Sequence, residues 1–180
     1  FQIESLKQEC VIYLSKIIDA ESAARYLEFS ISFLVPALYD ISFVFVLDNF
    51  RQVIRNSSFH EIISEGQMKK FLQSDEVNAR EIVLFVGLVK WGVAQVSMRP
   101  VECEQVLLSQ VLSNLLKHVR WALMTPDEIV NVVKPLGVAS VEDMFEALAA
   151  HYSNRMVLSV VERRGSKWGK KGEAEEKEDQ

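Results

Sequence analysis

Apolar residues recur at intervals of three and four along nearly the whole chain, and that recurrence limits the fold more than any other feature. Ile3, Leu6, Cys10, Tyr13, Leu14 and Ile17 form one such stripe. The spacing is that of one face of an α-helix, not the alternation of a strand. Ala20, Ala23, Ala24, Leu27 and Ile31 form a second stripe, with Asp19 placed to cap it. Its small residues let a neighbouring helix approach closely. Pro36 suits the first turn of a third helix, where its missing N–H does no harm. Ile41, Val44, Phe45, Leu47, Val53 and Ile54 are expected to line it. The run Phe43–Leu47 alone would pass for a strand, but its flanks are helical and no partner strands exist. Further stripes run through Phe59, Ile62 and Ile63; through Met68, Phe71 and Leu72; through Ile82, Leu84, Phe85, Leu88, Val89 and Trp91; through Val106, Leu107, Val111, Leu115, Leu116 and Val119; and through Met144, Phe145, Leu148 and Tyr152.

Helix boundaries are marked by local chemistry. Ser64 with Gln67, and Asn78 with Glu81, fit the capping box, in which a hydroxyl or amide takes the N3 amide and the N3 side chain reaches back. Thr125-Pro126-Asp127-Glu128 offers a capping hydroxyl, Pro at N1 and acids near the positive helix end. Pro135-Leu136-Gly137 should end that helix, and Ser140 with Asp143 should open the last. Only 7 Gly and 4 Pro occur, too few for an all-β chain of tight turns. The expected fold is all-α: about eight or nine helices in stacked antiparallel hairpins. No fixed repeat period appears at tetratricopeptide or ankyrin lengths. At 180 residues and 49% hydrophobic, the chain can bury one sizeable core as one domain or a compact pair.

Several function classes are disfavoured. The net charge is −5, without the basic field nucleic acid requires. Cys10 and Cys103 form no C-x-x-C pair, so neither a disulfide framework nor a zinc site is expected. Cys10 falls on a stripe and should be core. Cys103 reads as inert, because Glu102 and Glu104 flank it more closely than Arg99. The run Ile31–Leu47 is apolar, but Pro36 and Asp40 interrupt it and it is short for a membrane span. No secretory signal opens the chain. It begins at Phe1, not Met, and reads as a fragment. His60, His118 and His151 lack metal-ligand spacing. No phosphate-cradling glycine loop or nucleophile elbow occurs. The expectation is therefore no catalytic, metal or cofactor residues, and a non-enzymatic chain in the cytoplasm or nucleus. From about Glu162 the composition turns to a basic block (Arg163, Arg164, Lys167, Lys170, Lys171) followed by an acidic one, and residues 155–180 are expected to be a disordered tail. Arg163-Arg164-Gly165-Ser166 looks like the target of a basophilic kinase, with Ser166 as acceptor; a solubilising tail is the simpler alternative.

Taken in order, these residues resemble a known family. Phe1–Leu6 through Cys10 and Leu14 is similar to the last helix of a BTB domain. Asp48-Asn49-Phe50 with Val53 resembles the asparagine–phenylalanine step of the three-box and early BACK region. Phe59, Ile62, Met68, Leu72, Ser74-Asp75, Glu81, Phe85 and Trp91 follow the BACK pattern, and Arg99, Leu107, Leu116, Val119-Arg120 and Leu123-Met124 its later helices. Glu76 departs from it, since a leucine often follows the serine–aspartate step, and Ile31–Val46 is more apolar than expected. The resemblance implies residues 1–18 as the final BTB helix, 19–55 as three-box helices, 56–154 as the BACK domain and 155–180 as the tail. It further implies a substrate-adaptor region of a cullin-3 ubiquitin ligase, homodimeric through its BTB domain. Its three-box face would meet cullin-3 through Ser22, Arg25, Tyr26 and Tyr39, and it would recruit an unidentified protein substrate. Trp91 and Trp121 are candidate anchors, Trp91 more readily as core. The rival readings are a ligase-independent α-helical scaffold, cytoskeletal or transcriptional, and a helical enzyme, which would need a polar cluster inside the bundle.

Overall fold

The computed structural model describes residues 2–98 and 104–153, with backbone alone at 2–3 and 104–107. Across them it is helical, without a strand. Two compact units divide the chain, the first ending at Arg120 and the second beginning at Trp121. In the first unit α1 is Gln2–Ile17, α2 Ala23–Ser32, α3 Pro36–Val53, α4 Ser57–Ile62, α5 Glu65–Gln73, α6 Glu81–Ser97 and α7 Glu104–Leu116. Successive helices pair as hairpins, α2 on α3 and α6 on α7. The pairs are joined by α1 on α3, α2 on α4, α4 on α6 and α5 on α7.

Local signals set the starts. Asp19 Oδ1 accepts the Ser22 amide at 2.8 Å and the Glu21 amide at 3.1 Å, capping the turn that leads into α2. Pro36 stands at the first turn of α3. Ser64 and Gln67 form the expected capping box at α5. Asn78 does not cap α6, which opens after Arg80. Its N–H donates instead to the Leu47 carbonyl (2.9 Å) and its side-chain amide to that of Asp48 (3.4 Å), pinning the connection to α3. Those carbonyls border Asn49, whose φ of −114° and ψ of 21° break α3. The Asn49 side chain compensates by donating to the Phe45 carbonyl at 3.0 Å.

The stripes are partly rotated from expectation. Ala23, Ala24 and Leu27 are buried, but Ser30 replaces Ile31, which is exposed. On α3 the buried side chains are Leu38, Ser42, Val46, Leu47, Phe50 and Val53; Leu47 and Val53, with Ile54 after them, are buried as expected, while Val44 faces out. Cys10 is exposed, not core. Trp91 is core, and its indole N–H donates to the Ile63 carbonyl at 2.6 Å. No helix among the described residues is long and apolar enough to cross a membrane.

The second unit opens with a 3-10 turn, Trp121–Leu123. A helical rod follows in three segments, α-helical Pro126–Glu128, π-helical Ile129–Val133 and α-helical Lys134–Leu136. Thr125 and Glu128 form the expected capping box, and Gly137 ends the rod at φ 62°. A widened turn just ahead of Pro135 fits its chemistry, since α geometry would press the ring on the preceding turn's carbonyl. Residues 141–153 are helical, opened by Ser140, whose hydroxyl takes the Asp143 amide at 3.0 Å. Among the described residues of this unit, Met124, Ile129, Val133 and Ala147 are the buried hydrophobic side chains. Ser166 and the tail, like Arg99 and Cys103, lie outside the described residues.

Two positions test the core of the first unit. A Cβ on Gly92 would lie 2.6 Å from Leu112 Cδ2 and 2.9 Å from Leu108 Cδ1, and Leu112 is itself fully buried. Gly92→Ala should therefore lose about 1–2 kcal/mol in urea unfolding, overpacking outweighing the better helix propensity. His60 is buried, and one ring nitrogen, Nε2, lies 2.9 Å from the Ile54 carbonyl while Nδ1 has no partner. That is the neutral, Nε2-protonated ring. Burial holds its pKa below the ordinary value of about 6.5; nearby Lys90 lowers it further, and the Ile54 bond and Glu61 oppose the shift. The unfolded ring takes its proton near pH 6.5 and the folded one does not. Stability is thus at its full value above about pH 6.5 and falls as the pH drops toward the folded value. Urea unfolding at about pH 7.5 and about pH 5.5 should show a decline that is smaller in His60→Gln; an equal decline in both would contradict this.

Candidate functional site

Polar contacts across long sequence separations fix the first unit. Glu81, expected to cap α6, is buried and accepts the Arg120 backbone N–H at 2.8 Å. The Arg120 guanidinium pairs with Asp75 at 2.5 Å and donates to the Gln73 carbonyl at 3.4 Å. The serine–aspartate step, the acid opening α6 and the Val119-Arg120 pair are thus one junction. Asn56 likewise donates to the Ala20 carbonyl at 2.9 Å, tying the α3–α4 turn to the α1–α2 turn.

On that body α1, the end of α2 and the start of α3 leave apolar side chains open. Leu6, Cys10 and Leu14 of α1 face Phe29, Phe33 and Leu38 across a groove of about 360 Å³. A second hollow of about 350 Å³ adjoins it, lined by Gln8, Val11, Ile12, Leu34, Val35 and Pro36 among others. Leu6 is 60% exposed, Phe33 65% and Leu34 86%. The Phe29 and Phe33 rings lie 4.3 Å apart.

Leu34 shapes this surface at an energetic penalty. Its φ of 52° makes it the one non-glycine residue with positive φ among those described. The Val35 amide reaches the Ser30 carbonyl (2.8 Å) and the Leu34 amide that of Ile31 (3.3 Å). This is a Schellman turn with leucine at the position glycine normally takes. A left-handed L-residue is strained by roughly 1–2 kcal/mol, and an exposed leucine recovers little of it by burial.

The sequence-derived candidates do not form one site. Ser22 donates its hydroxyl to Asp19 at 2.7 Å. That bond, with the Ser22 amide and the charge of exposed Arg25, holds the Asp19 carboxyl below the usual carboxylate range. Ser22, Arg25 and half-buried Tyr26 stand at the start of α2. Tyr39 is one turn into α3, at the opposite end of the hairpin. It stacks on Phe43 at 5.6 Å and accepts a hydrogen bond from Lys70 at 3.0 Å. Trp121 is half-buried in the second unit. Sequence reasoning missed Phe29, Phe33 and Leu34. The available signal was that Phe29 and Phe33, spaced i, i+4, lie off the Ala23–Leu27 stripe and so make a second apolar face. Among the described residues no group of three or more His, Cys, Asp or Glu is placed to hold a metal ion.

A family model described as BACK, "BTB And C-terminal Kelch", matches residues 23–134, more than half of the chain. This chain belongs to the BACK family. The BACK match begins at residue 23, so it includes the stretch resembling a three-box as well as the later helices. Kelch-like protein 24a of the zebrafish Danio rerio is 27% identical over 135 residues, covering 74% of this chain and 21% of that protein. The chain spans about a fifth of the length of this curated relative.

Leu34→Gly should raise stability by about 0.5–1 kcal/mol, as relief of the left-handed strain exceeds the added freedom of the unfolded chain. Urea midpoints of the two proteins check this, with a lower midpoint for the variant as the contrary result.

Proposed function

We propose that this chain is the BACK-containing adaptor region of a cullin-3-type ubiquitin ligase receptor, joining a BTB domain to a substrate-recognition element in the cytoplasm or nucleus. In this reading it performs no chemistry. Its work is to hold a partner-facing surface on a stiff helical body.

One observation carries the reading: the open apolar groove of α1, the α2 end and the α3 start, with strained Leu34 beside it. Large apolar side chains left in water, one of them in an unfavourable backbone state, are typical of a binding surface and not of a core. The α2 and α3 walls of the groove fall within residues 19–55, the stretch that resembles a three-box, although none of Ser22, Arg25, Tyr26 or Tyr39 lines it. Covering Phe33 or Leu34 would contribute about 1.5–3 kcal/mol each, near tenfold or more in affinity.

The test is retention of the cullin-3 N-terminal domain by a form of the protein with a BTB domain ahead of Phe1. Micromolar or tighter retention is expected, at least tenfold weaker with Phe33→Asp or Leu34→Asp, and weakened less by changes at Arg25 and Tyr26. Absence of retention by a folded, helical protein would overturn the reading in favour of a ligase-independent scaffold. Retention unaffected by either groove variant would overturn the site.

A further inference from the structure

The second unit leaves an apolar face open between its rod and its last helix. Ile129, Val130 and Lys134 of the rod and Val141, Phe145 and Leu148 of the 141–153 helix border a groove of about 220 Å³. Val141 is 78% exposed and Phe145 70%. Lys134 is the one charged residue of the lining. Lys134 and Val141 both adjoin the 137–140 connection, so they mark one end of the groove. Leu148 lies two turns away toward the other end, about 10 Å along the helix.

The chain supplies an apolar segment just beyond this helix. Met156-Val157-Leu158-Ser159-Val160-Val161 has five apolar residues in six, unlike the charged run that follows from Glu162. The segment lies outside the described residues, which reach Ser153, so Asn154 and Arg155 alone separate it from the helix. In an extended chain alternate side chains share a face. Met156, Leu158 and Val160 make one such face, with Glu162 next in line. Met156 to Val160 spans about 13 Å when extended, which matches the groove. A chain that reverses at Asn154-Arg155 runs from the Leu148 end to the Val141 end and brings Glu162 toward Lys134.

We propose that residues 156–161 fold back along the 141–153 helix and cover this groove, with Met156, Leu158 and Val160 against Phe145 and the rod, and Glu162 paired with Lys134. Tethering favours this occupant. A link of two residues holds the segment at an effective concentration in roughly the millimolar range. It therefore needs little affinity of its own to exclude a second copy, or a different protein, present at micromolar concentration. The chain past Val161 then leaves the second unit from a fixed point near the 137–140 connection.

Backbone order parameters of the 180-residue chain, measured by NMR at about 50 μM and about 500 μM, test this. Residues 156–161 should give values near about 0.8 at both concentrations. Phe145→Asp, at an exposed position, should lower them below about 0.6 and leave Met124, Ile129 and Val133 unchanged. Leu158→Asp should do the same from the segment's side. Glu162→Lys should lower the values in part, and adding Lys134→Glu should restore them. Values below about 0.6 in the wild type would overturn the proposal and leave the face to a different protein. So would order that appears only at the higher concentration, the mark of a second copy, or order that Phe145→Asp leaves intact.

Discussion

The ring of Phe50 is the point on which the first unit depends. It is fully buried and packs edge-on to Phe59 at 6.3 Å and Phe71 at 6.1 Å. Gly87 brings α6 so close that a Cβ there would sit 3.2 Å from the ring. Side chains from α3, α4 and α5 and the backbone of α6 therefore meet at one residue. The position follows from the preceding one: Asn49 leaves helical geometry and ties its amide to Phe45. The carbonyls beside the kink take Asn78 from the α5–α6 connection. Losing a buried aromatic ring of this kind commonly removes about 3–5 kcal/mol, enough to threaten a domain of ordinary stability.

What the sequence made legible was whatever is decided within one helical turn. Ser64 with Gln67, Thr125 with Glu128, Ser140 with Asp143, and Pro36 all act as their spacing implies, because a cap needs only residues three apart. Asn78 failed as a cap because its side-chain amide is engaged by the carbonyl of Asp48, 30 positions earlier and invisible to spacing. Glu81 and Arg120 are 39 apart; their link was latent only in the family pattern that contains both. The outward turns of Ile31, Val44 and Cys10 show the same limit. Periodicity gives the face of a helix, but the packing partner decides which apolar residues are covered. Nothing in the local sequence marks Leu34 for a left-handed turn where glycine would be ordinary.

That misplaced leucine sets stability against surface chemistry. A chain selected for stability alone would favour glycine there. Leucine presents an apolar side chain to the hollow it lines with Val35, Pro36 and the α1 residues Val11 and Ile12. Strain at an exposed position, opposed by the well-packed body behind it, is the usual mark of a surface kept for contact. The junction of Glu81, Asp75 and Arg120 serves the same end more remotely. It fixes the end of the first unit against α5 and α6 without relying on exposed ion pairs alone, which contribute little.

Hydrogen exchange on a BTB-bearing form of the protein, with and without the cullin-3 N-terminal domain at saturation, tests this account most directly. Slowed exchange is expected in peptides covering residues 4–14 and 29–38, with 141–153 unchanged. Protection confined to other segments, or none in a folded protein, would contradict it.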